Sequence, residues 1–464
     1  MRGFWQNHRI LIIGGFLYFL LHMAIQLSGT FDADLRNALL DEKDYVISAR
    51  NLILTGDYAV WGGQPAFRTP GYTIILAALK IIGGGFFAHI QIFQFLLGFF
   101  SGLLLFPVSR RFISGWLAVV PTLLFWFYPT LIIYRYLVYA ETLYLFIFAL
   151  FLWSFLRPPN ELNSKRVIAA GAILGTLILV RAEWLLIAIA IGGWQMWRKQ
   201  TRIGLILLSA TIVTISPWFI RNAIRYGRPV LTTMTGYNLW MGNNPQATGS
   251  GVVDDNPELE LMRVIREVET AVPPRQDTER SQRYTAKAIS YIIENPLATL
   301  AIIPAKAGFL WANETRIIDW AFYRGRIRIS DTGSGVLHFL LKFLWPAFLI
   351  ALFTLWIWVK PAPFTWLYII PFVSTVTVAI FTGEDRYHLQ FLPILFLAII
   401  AAIQDFKHGM RNRIQVPRLA LCLSGMAFIA WSSVHAQAFY DYMRDSFSNP
   451  PNTVQVSPQR KNPP

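Results

Sequence analysis

Cysteine and charge are what this sequence has least of. Cys422 is the only thiol in 464 residues, so no disulfide and no cysteine-based metal site can form within the chain. Charged residues make up 14%, against about a quarter in soluble globular proteins. A water-exposed surface cannot be built from so few. Several motifs are missing as well. There is no glycine-rich phosphate loop ending in Gly-Lys-Ser/Thr, no His-Glu-x-x-His helix, no cysteine pair and no Gly-x-Ser-x-Gly elbow. Nucleotide-driven, zinc-peptidase and serine-hydrolase chemistry therefore have no carrier here. No internal repeat is evident, which weighs against a transporter built from two related halves.

What replaces the charge is Leu, Ile, Phe and Trp in long runs. The chain is 55% hydrophobic, with 35 Phe and 17 Trp, and runs near 18 apolar residues are long enough to cross a bilayer. The fold class expected is an all-α polytopic membrane protein of about eleven spans, thirteen if two ambiguous segments also cross. The net charge of +15 would suggest nucleic acid in a soluble protein. Here the basic residues cluster at the ends of apolar runs: Arg2/Arg9, Arg110/Arg111, Arg157 with Lys165/Arg166, Arg198/Lys199/Arg202, Lys360, and Lys407/Arg411/Arg413. Such clusters set topology by facing the cytoplasm, so membrane lipids, and no nucleic acid, are the expected partners.

Ile10–Leu27 follows a basic start and has no small-residue cleavage site, so it is expected to be a retained first span with a cytoplasmic N-terminus. Residues 28–87 then form a first outer loop, polar at first, with Gly71–Ile82 lying in the interface. Spans 2 to 7 are expected at Ile90–Val108, Phe112–Leu131, Tyr136–Leu156, Val167–Val180, Trp184–Trp197 and Ile203–Ile220. A second outer loop, 221–335, should hold helices Pro257–Thr270 and Thr278–Glu294 and the ambiguous apolar stretch Leu297–Leu310. Spans 8 to 11 follow at Val336–Val359, Phe364–Phe381, Leu389–Ile403 and Leu419–Trp431. Residues 1–448 read as one transmembrane domain, and 449–464 as a disordered tail.

Polar residues in this setting are candidates for chemistry. Asp41-Glu42-Lys43-Asp44-Tyr45 opens an amphipathic stretch in the first outer loop, with Asp41 and Tyr45 on one helix face. It suits either a carboxylate at the lipid boundary or a solvated helix start favoured by the dipole. Arg68-Thr-Pro-Gly-Tyr72 offers a guanidinium for a lipid phosphate or for plain headgroup anchoring. Glu141 has apolar neighbours on both sides and needs a wet site or a partner, Arg135 or Arg181. Thr382-Gly-Glu-Asp-Arg-Tyr-His388 supplies Arg386, a second phosphate ligand or a helix-capping charge. Tyr237 and Trp240 are either sugar-stacking platforms or interfacial anchors.

Taken in order, these elements resemble the GT-C superfamily of polyprenyl-phosphate-sugar-dependent glycosyltransferases, in the branch of protein O-mannosyltransferases and aminoarabinose transferases. The resemblance is carried by Asp41-Glu42-x-x-Tyr45 through Asp57-Tyr58, Arg68-Thr-Pro-Gly-Tyr72, Ala140-Glu141-Thr142, Leu179-Val-Arg181, Pro217-Trp218 with Arg221-Asn222, Asn238–Pro245, and Arg386-Tyr387. It implies a GT-C-like bundle with interfacial helices in the first outer loop and a small outer loop domain. It implies transfer of one sugar from a polyprenyl phosphate to a hydroxyl of a lipid, glycan or protein, with inversion, on the outer face of a bacterial-type inner membrane. Asp41 would be the catalytic base, with Glu42 beside it. Arg68, Arg386, Tyr387 and Tyr45 would hold the donor phosphate. Glu141, Arg181, Arg221 and Asn222 would line the same site. Some relatives carry a carboxylate just before the basic-Pro element, where Phe67 stands here. No tightly bound metal or other cofactor is therefore expected, and a divalent cation that took part would be loosely held. The rival reading is a transporter or flippase of a lipid-linked glycan, which accounts for the spans but not for a long acidic first loop. A non-catalytic scaffold would leave Glu141 unexplained.

Overall fold

The computed structural model describes residues 2–32, 39–59, 66–83, 85–157, 161–251, 259–273, 276–323, 325–358, 367, 369–407 and 431. These residues are helical throughout, joined by turns and two isolated β-bridges, Phe31 with Ile327 and Ser250 with Gly383. In chain order the helices are α1 Arg2–Leu27, α2 Leu40–Thr55, α3 Pro70–Ile81 and α4 Phe86–Ser109. Next come a 3-10 turn at Gly115–Val119, α5 Val120–Phe127, α6 Pro129–Tyr134, α7 Glu141–Phe155, α8 Ser164–Val180, α9 Trp184–Trp197 and α10 Thr201–Tyr226. The segment after α10 adds α11 Met234–Gly242, α12 Glu260–Ala271, α13 Asp277–Glu294, α14 Pro296–Leu310 and α15 Arg316–Tyr323. The chain continues through α16 Asp331–Trp358, α17 Ile369–Ile380, a 3-10 segment Asp385–Phe391 and α18 Leu392–Lys407.

Among the described residues three helices are long and apolar enough to cross a membrane: Asn7–Leu27, Phe86–Ser109 and Thr201–Tyr226. Their lipid-facing side chains, such as Ile12, Phe16, Ile92, Phe100, Ile212 and Val213, stand exposed, as an integral membrane protein requires. Helices α3, α7, α9 and α17 are apolar but shorter. The expected span Phe112–Leu131 is broken three ways. Pro121 and Pro129 each open a new helix, and Tyr128, which precedes a proline, is extended at ψ 121°. The expected span Tyr136–Leu156 begins only at Glu141, so this carboxylate sits in the first turn of α7. Helix α10 runs on past Ile220 through Arg221 and Asn222 to Tyr226. Helices α13 and α14 meet at a bend of 109°. The span expected at Leu419–Trp431, apart from Trp431, and the tail 449–464 lie outside the described residues.

Helix α7 is the hub. It is apolar on every side and buried along nearly its whole length, packed between α4 and α8. Helix α8 in turn lies against α10 at very short range. A Cβ on Gly171 would stand 2.5 Å from the Leu207 carbonyl, and one on Gly175 would stand 2.6 Å from Thr214 Cβ. The two glycines are four apart on one face, the small-x-x-x-small pattern that lets membrane helices approach. Thr211 Oγ1 donates across this seam to the Gly171 carbonyl at 3.1 Å. The α11–α13 segment has a core of its own, in which Trp240 and Met241 of α11 pack with Leu261, Val264 and Val268 of α12 and Tyr284 of α13.

Candidate active site

The site begins at the first turn of α2. Asp41 and Glu42 both lie there, where the helix dipole favours carboxylates, but they point to different surroundings. Glu42 is fully buried. Its carboxylate accepts from Leu39 N at 2.8 Å, from Val138 N at 2.8 Å, and from Arg326 through Nε at 3.1 Å and Nη2 at 2.6 Å. Arg326 is brought within reach by the bridge between Phe31 and Ile327. All four contacts are internal, so Glu42 ties α2 to the 135–140 loop and to the chain after α15. These contacts give Glu42 a holding role beside Asp41, the residue to which the resemblance assigns the base.

Asp41 remains 19% exposed and meets two guanidinium groups. Arg68 Nη2 donates to Oδ1 at 2.8 Å, and Arg386 Nη1 donates to Oδ2 at 2.5 Å. Arg68 also donates to Asp44 Oδ2, from Nη2 at 2.7 Å and Nε at 3.2 Å. On the other side Arg386 Nε lies 2.7 Å from Glu384 Oε2, which accepts from Arg316 Nη2 at 2.9 Å; the same Nη2 is 2.8 Å from Asp385 Oδ1. Acids and bases thus alternate along one chain of charges, Asp44, Arg68, Asp41, Arg386, Glu384, Arg316 and Asp385. Four carboxylates face three guanidinium groups. Burial holds the Asp385 carboxyl above its usual range against the pull of Arg316. Burial also pushes Asp41 upward, but Arg68 and Arg386 outweigh it and hold the carboxyl well below the usual range.

Each arginine is set by its backbone. Arg68 precedes Thr69 and Pro70, the cap and first residue of α3. Thr69 Oγ1 donates to the Val180 carbonyl at the end of α8 at 2.9 Å, and Tyr58 OH donates to the Thr69 carbonyl at 2.9 Å. Two residues upstream, buried Ala66 adopts φ +65°, a left-handed conformation that costs a non-glycine residue roughly 1–2 kcal/mol. It is pinned by Thr233 N, which donates to the Ala66 carbonyl at 2.9 Å. Arg386 lies on the 3-10 segment between α17 and α18, its backbone N donating to Asp385 Oδ1 at 2.9 Å.

Glu141 pairs with Arg181 at the end of α8, not with Arg135. Its Oε2 is buried with no hydrogen-bond partner among the described residues. Arg181 also reaches Glu183 at 3.5 Å and stacks over Tyr144 at 4.8 Å. Two tyrosines join this second ion cluster to the first. Tyr45 lies 5.0 Å under the Arg68 guanidinium and within the electrostatic reach of Asp41, Glu141 and Arg181. Tyr387 lies in the same way between Arg386 and Arg181. Asp41, Arg68, Arg386, Tyr45, Tyr387, Glu141 and Arg181 therefore converge. Arg221 and Asn222 do not touch the carboxylates. Arg221 donates to Asn222 Oδ1 at 2.7 Å and stacks on Trp218 at 4.8 Å, while Asn222 donates to the Val230 carbonyl at 2.8 Å. They form a layer behind Tyr58, whose ring packs on Trp218.

Arg135 instead donates to the Phe125 and Trp126 carbonyls, both at 2.9 Å. These are carbonyls in the last turn of α5, left without partners where the span breaks. Trp240 is buried, so it is not an open stacking platform, and the partly buried Tyr237 packs on the Tyr284 ring. Four charged members of the site were not assigned to it from the sequence: Asp44, Glu384 and Asp385, which stand inside the polar signatures, and Arg316, which stands in none of them. A signal for Arg316 was present. Asn313-Glu-Thr-Arg316 is a polar quartet directly after the apolar α14, and all four are buried. Among the described residues, no three His, Cys, Asp or Glu side chains converge as a metal site.

No family model matches the sequence, and no curated protein matches it either. Among solved structures, the chain is similar to the Archaeoglobus fulgidus oligosaccharyltransferase AglB in complex with an inhibitory peptide and a dolichol-phosphate. Identity is 13% and the TM-score 0.49, over 94% of this chain and 56% of that one. It is also similar to ArnT from Cupriavidus metallidurans bound to undecaprenyl phosphate, at 13% identity and a TM-score of 0.37, over 84% of this chain and 79% of that one. The chain thus spans little more than half the length of the oligosaccharyltransferase. What the site can do is set by its own charges.

Proposed function

We propose that this protein transfers a sugar from a polyprenyl-phosphate donor to an acceptor hydroxyl at the outer membrane face, with Asp41 as general base. One observation carries the reading: a partly exposed carboxylate held directly between two guanidinium groups, Arg68 and Arg386, from distant parts of the chain. A phosphate leaving group needs its growing charge met by preorganised cations, and an attacking hydroxyl needs a base within hydrogen-bond reach. Both requirements meet at Asp41.

The same contact explains how the base is switched on. Flanked by two cations, Asp41 is a weak base. A donor phosphate competes for Arg68 and Arg386, frees the carboxylate and places negative charge beside it, which raises its proton affinity. The acceptor O–H then gives its proton to Asp41 as the oxygen bonds to the anomeric carbon. The bond from that carbon to the phosphate oxygen breaks on the opposite side, and the polyprenyl phosphate leaves on the arginines. The configuration inverts. Tyr45 and Tyr387 flank the arginines, and Glu141 with Arg181 borders the sugar's side of the site.

The test is to incubate the purified protein with a panel of polyprenyl-phosphate sugars and follow release of polyprenyl phosphate. Loss of the sugar from at least one donor, dependent on a hydroxyl acceptor, is expected. A protein that moves such lipids across vesicles without cleaving any of them is a transporter, and the reading fails.

A further inference from the structure

Among the described residues Lys306 is the one strongly buried ammonium that the site's chemistry leaves unused. It lies in α14, and its side chain is inaccessible to solvent. Among the described residues no carboxylate pairs with it. Its Nζ donates to Asn243 Oδ1 at 3.0 Å, to the Ala379 carbonyl at 3.3 Å and to the Ile380 carbonyl at 3.5 Å. A buried ammonium without a counter-ion is costly, and these three oxygens are what compensates it. Two of them are the last carbonyls of α17 (Ile369–Ile380), the negative end of a helix. Lys306 therefore caps α17 from a different helix.

The cap is part of a clasp. Asn243, just after α11, donates from Nδ2 to the Ile380 carbonyl at 2.9 Å while accepting from Lys306. Gly383 N donates to the Gly249 carbonyl at 2.8 Å, and Ser250 bridges Gly383. A Cβ on Gly383 would stand 2.0 Å from the Lys306 carbonyl, so only glycine permits this approach. The outer-loop segment 242–251, α14 and the end of α17 are thus locked together one to three residues before Glu384 and Arg386. From that point the chain turns into the 3-10 segment, and Arg386 reaches Asp41.

We propose that Lys306 is a positioning residue for Arg386: its ammonium, held by Asn243 and the α17 carbonyls, fixes where the 381–386 chain leaves α17 and so aims the guanidinium at the phosphate site. It follows that the outer loop and the donor site move as one unit. The inference rests on reading Arg386 as a phosphate ligand.

The experiment uses the full chain in nanodiscs, as Lys306→Met, Lys306→Arg and wild type, each with and without Arg386→Ala. Amide exchange of residues 381–387 and binding of undecaprenyl phosphate are read in parallel. Lys306→Met is expected to speed exchange at 383–387 and to weaken lipid-phosphate binding about tenfold, the effect of losing a charged buried hydrogen-bond set. Lys306→Arg should restore much of both. In the Arg386→Ala background the same substitution should change binding by less than about twofold, because coupled residues are not additive. Unchanged exchange overturns the clasp. An equal loss of binding in both backgrounds overturns the positioning role. If Met at 306 prevents folding, Lys306→Gln keeps an N–H donor without the charge and is measured instead. If the wild type binds no undecaprenyl phosphate, the proposed function fails, and the exchange measurement alone decides the clasp.

Discussion

Asp41 and Glu42 are adjacent acids in one helical turn with opposite fates. Glu42 spends its whole carboxylate on Leu39, Val138 and Arg326, whereas Asp41 faces two arginines and solvent. Glu42→Gln leaves Arg326 as a buried cation facing a neutral amide. It should cost about 3–5 kcal/mol, the usual penalty for breaking a buried pair, read as a lower unfolding temperature in detergent. Stability unchanged by that substitution would contradict the holding role. Arg68→Ala should weaken undecaprenyl phosphate binding by roughly tenfold to a hundredfold, since charge-assisted contacts are worth about 1.5–3 kcal/mol; isothermal titration in detergent reads it. An unchanged affinity would remove Arg68 from the donor site. The positions of Asp41, Arg68 and Arg386 were legible in the sequence because each sits in a short polar signature between apolar runs. The split between Asp41 and Glu42 was not, because it depends on Arg326, which lies 284 positions away.

Elements were legible where their apolar runs were long and unbroken. Helices α8, α9 and α13 fall within a few residues of their expected limits. The region around α5 and α6 was not, because a hydropathy run shows length but not the breaks that Pro121 and Pro129 impose, nor the arginine that satisfies the freed carbonyls. Helix α13 carries a pH-sensitive group. Asp277 and Glu269 share Arg280, and one guanidinium cannot neutralise two carboxylates. Burial raises the Asp277 carboxyl to about 7, against the opposing pull of Arg280. An acid with a raised folded value favours folding fully below its unfolded value, about 4, and loses that contribution as pH rises through about 7. The α12–α13 pair should therefore open more readily, by amide exchange, as pH is raised from about 5 to 8. Asp277→Asn should flatten that dependence. If the variant keeps the wild-type pH profile, Asp277 is not the responsible group.

At the scale of the whole molecule, residues far apart in sequence meet in one chain of alternating charges that draws on α2, the start of α3, the start of α15 and the segment between α17 and α18. Composition made the membrane setting plain, because so few charges cannot cover a soluble surface. It could not show that Arg316, Glu384 and Asp385 extend the site, since their partners are set by the turns around α14 and not by any local pattern. The central claim is that Asp41 and the donor phosphate share the same two guanidinium groups. The most direct test compares wild type with Asp41→Asn for undecaprenyl phosphate affinity and for sugar transfer. Removing the competing carboxylate should tighten lipid-phosphate binding, while transfer falls by about a hundredfold to ten-thousandfold with the loss of the base. Weaker or unchanged binding together with undiminished transfer would contradict the account.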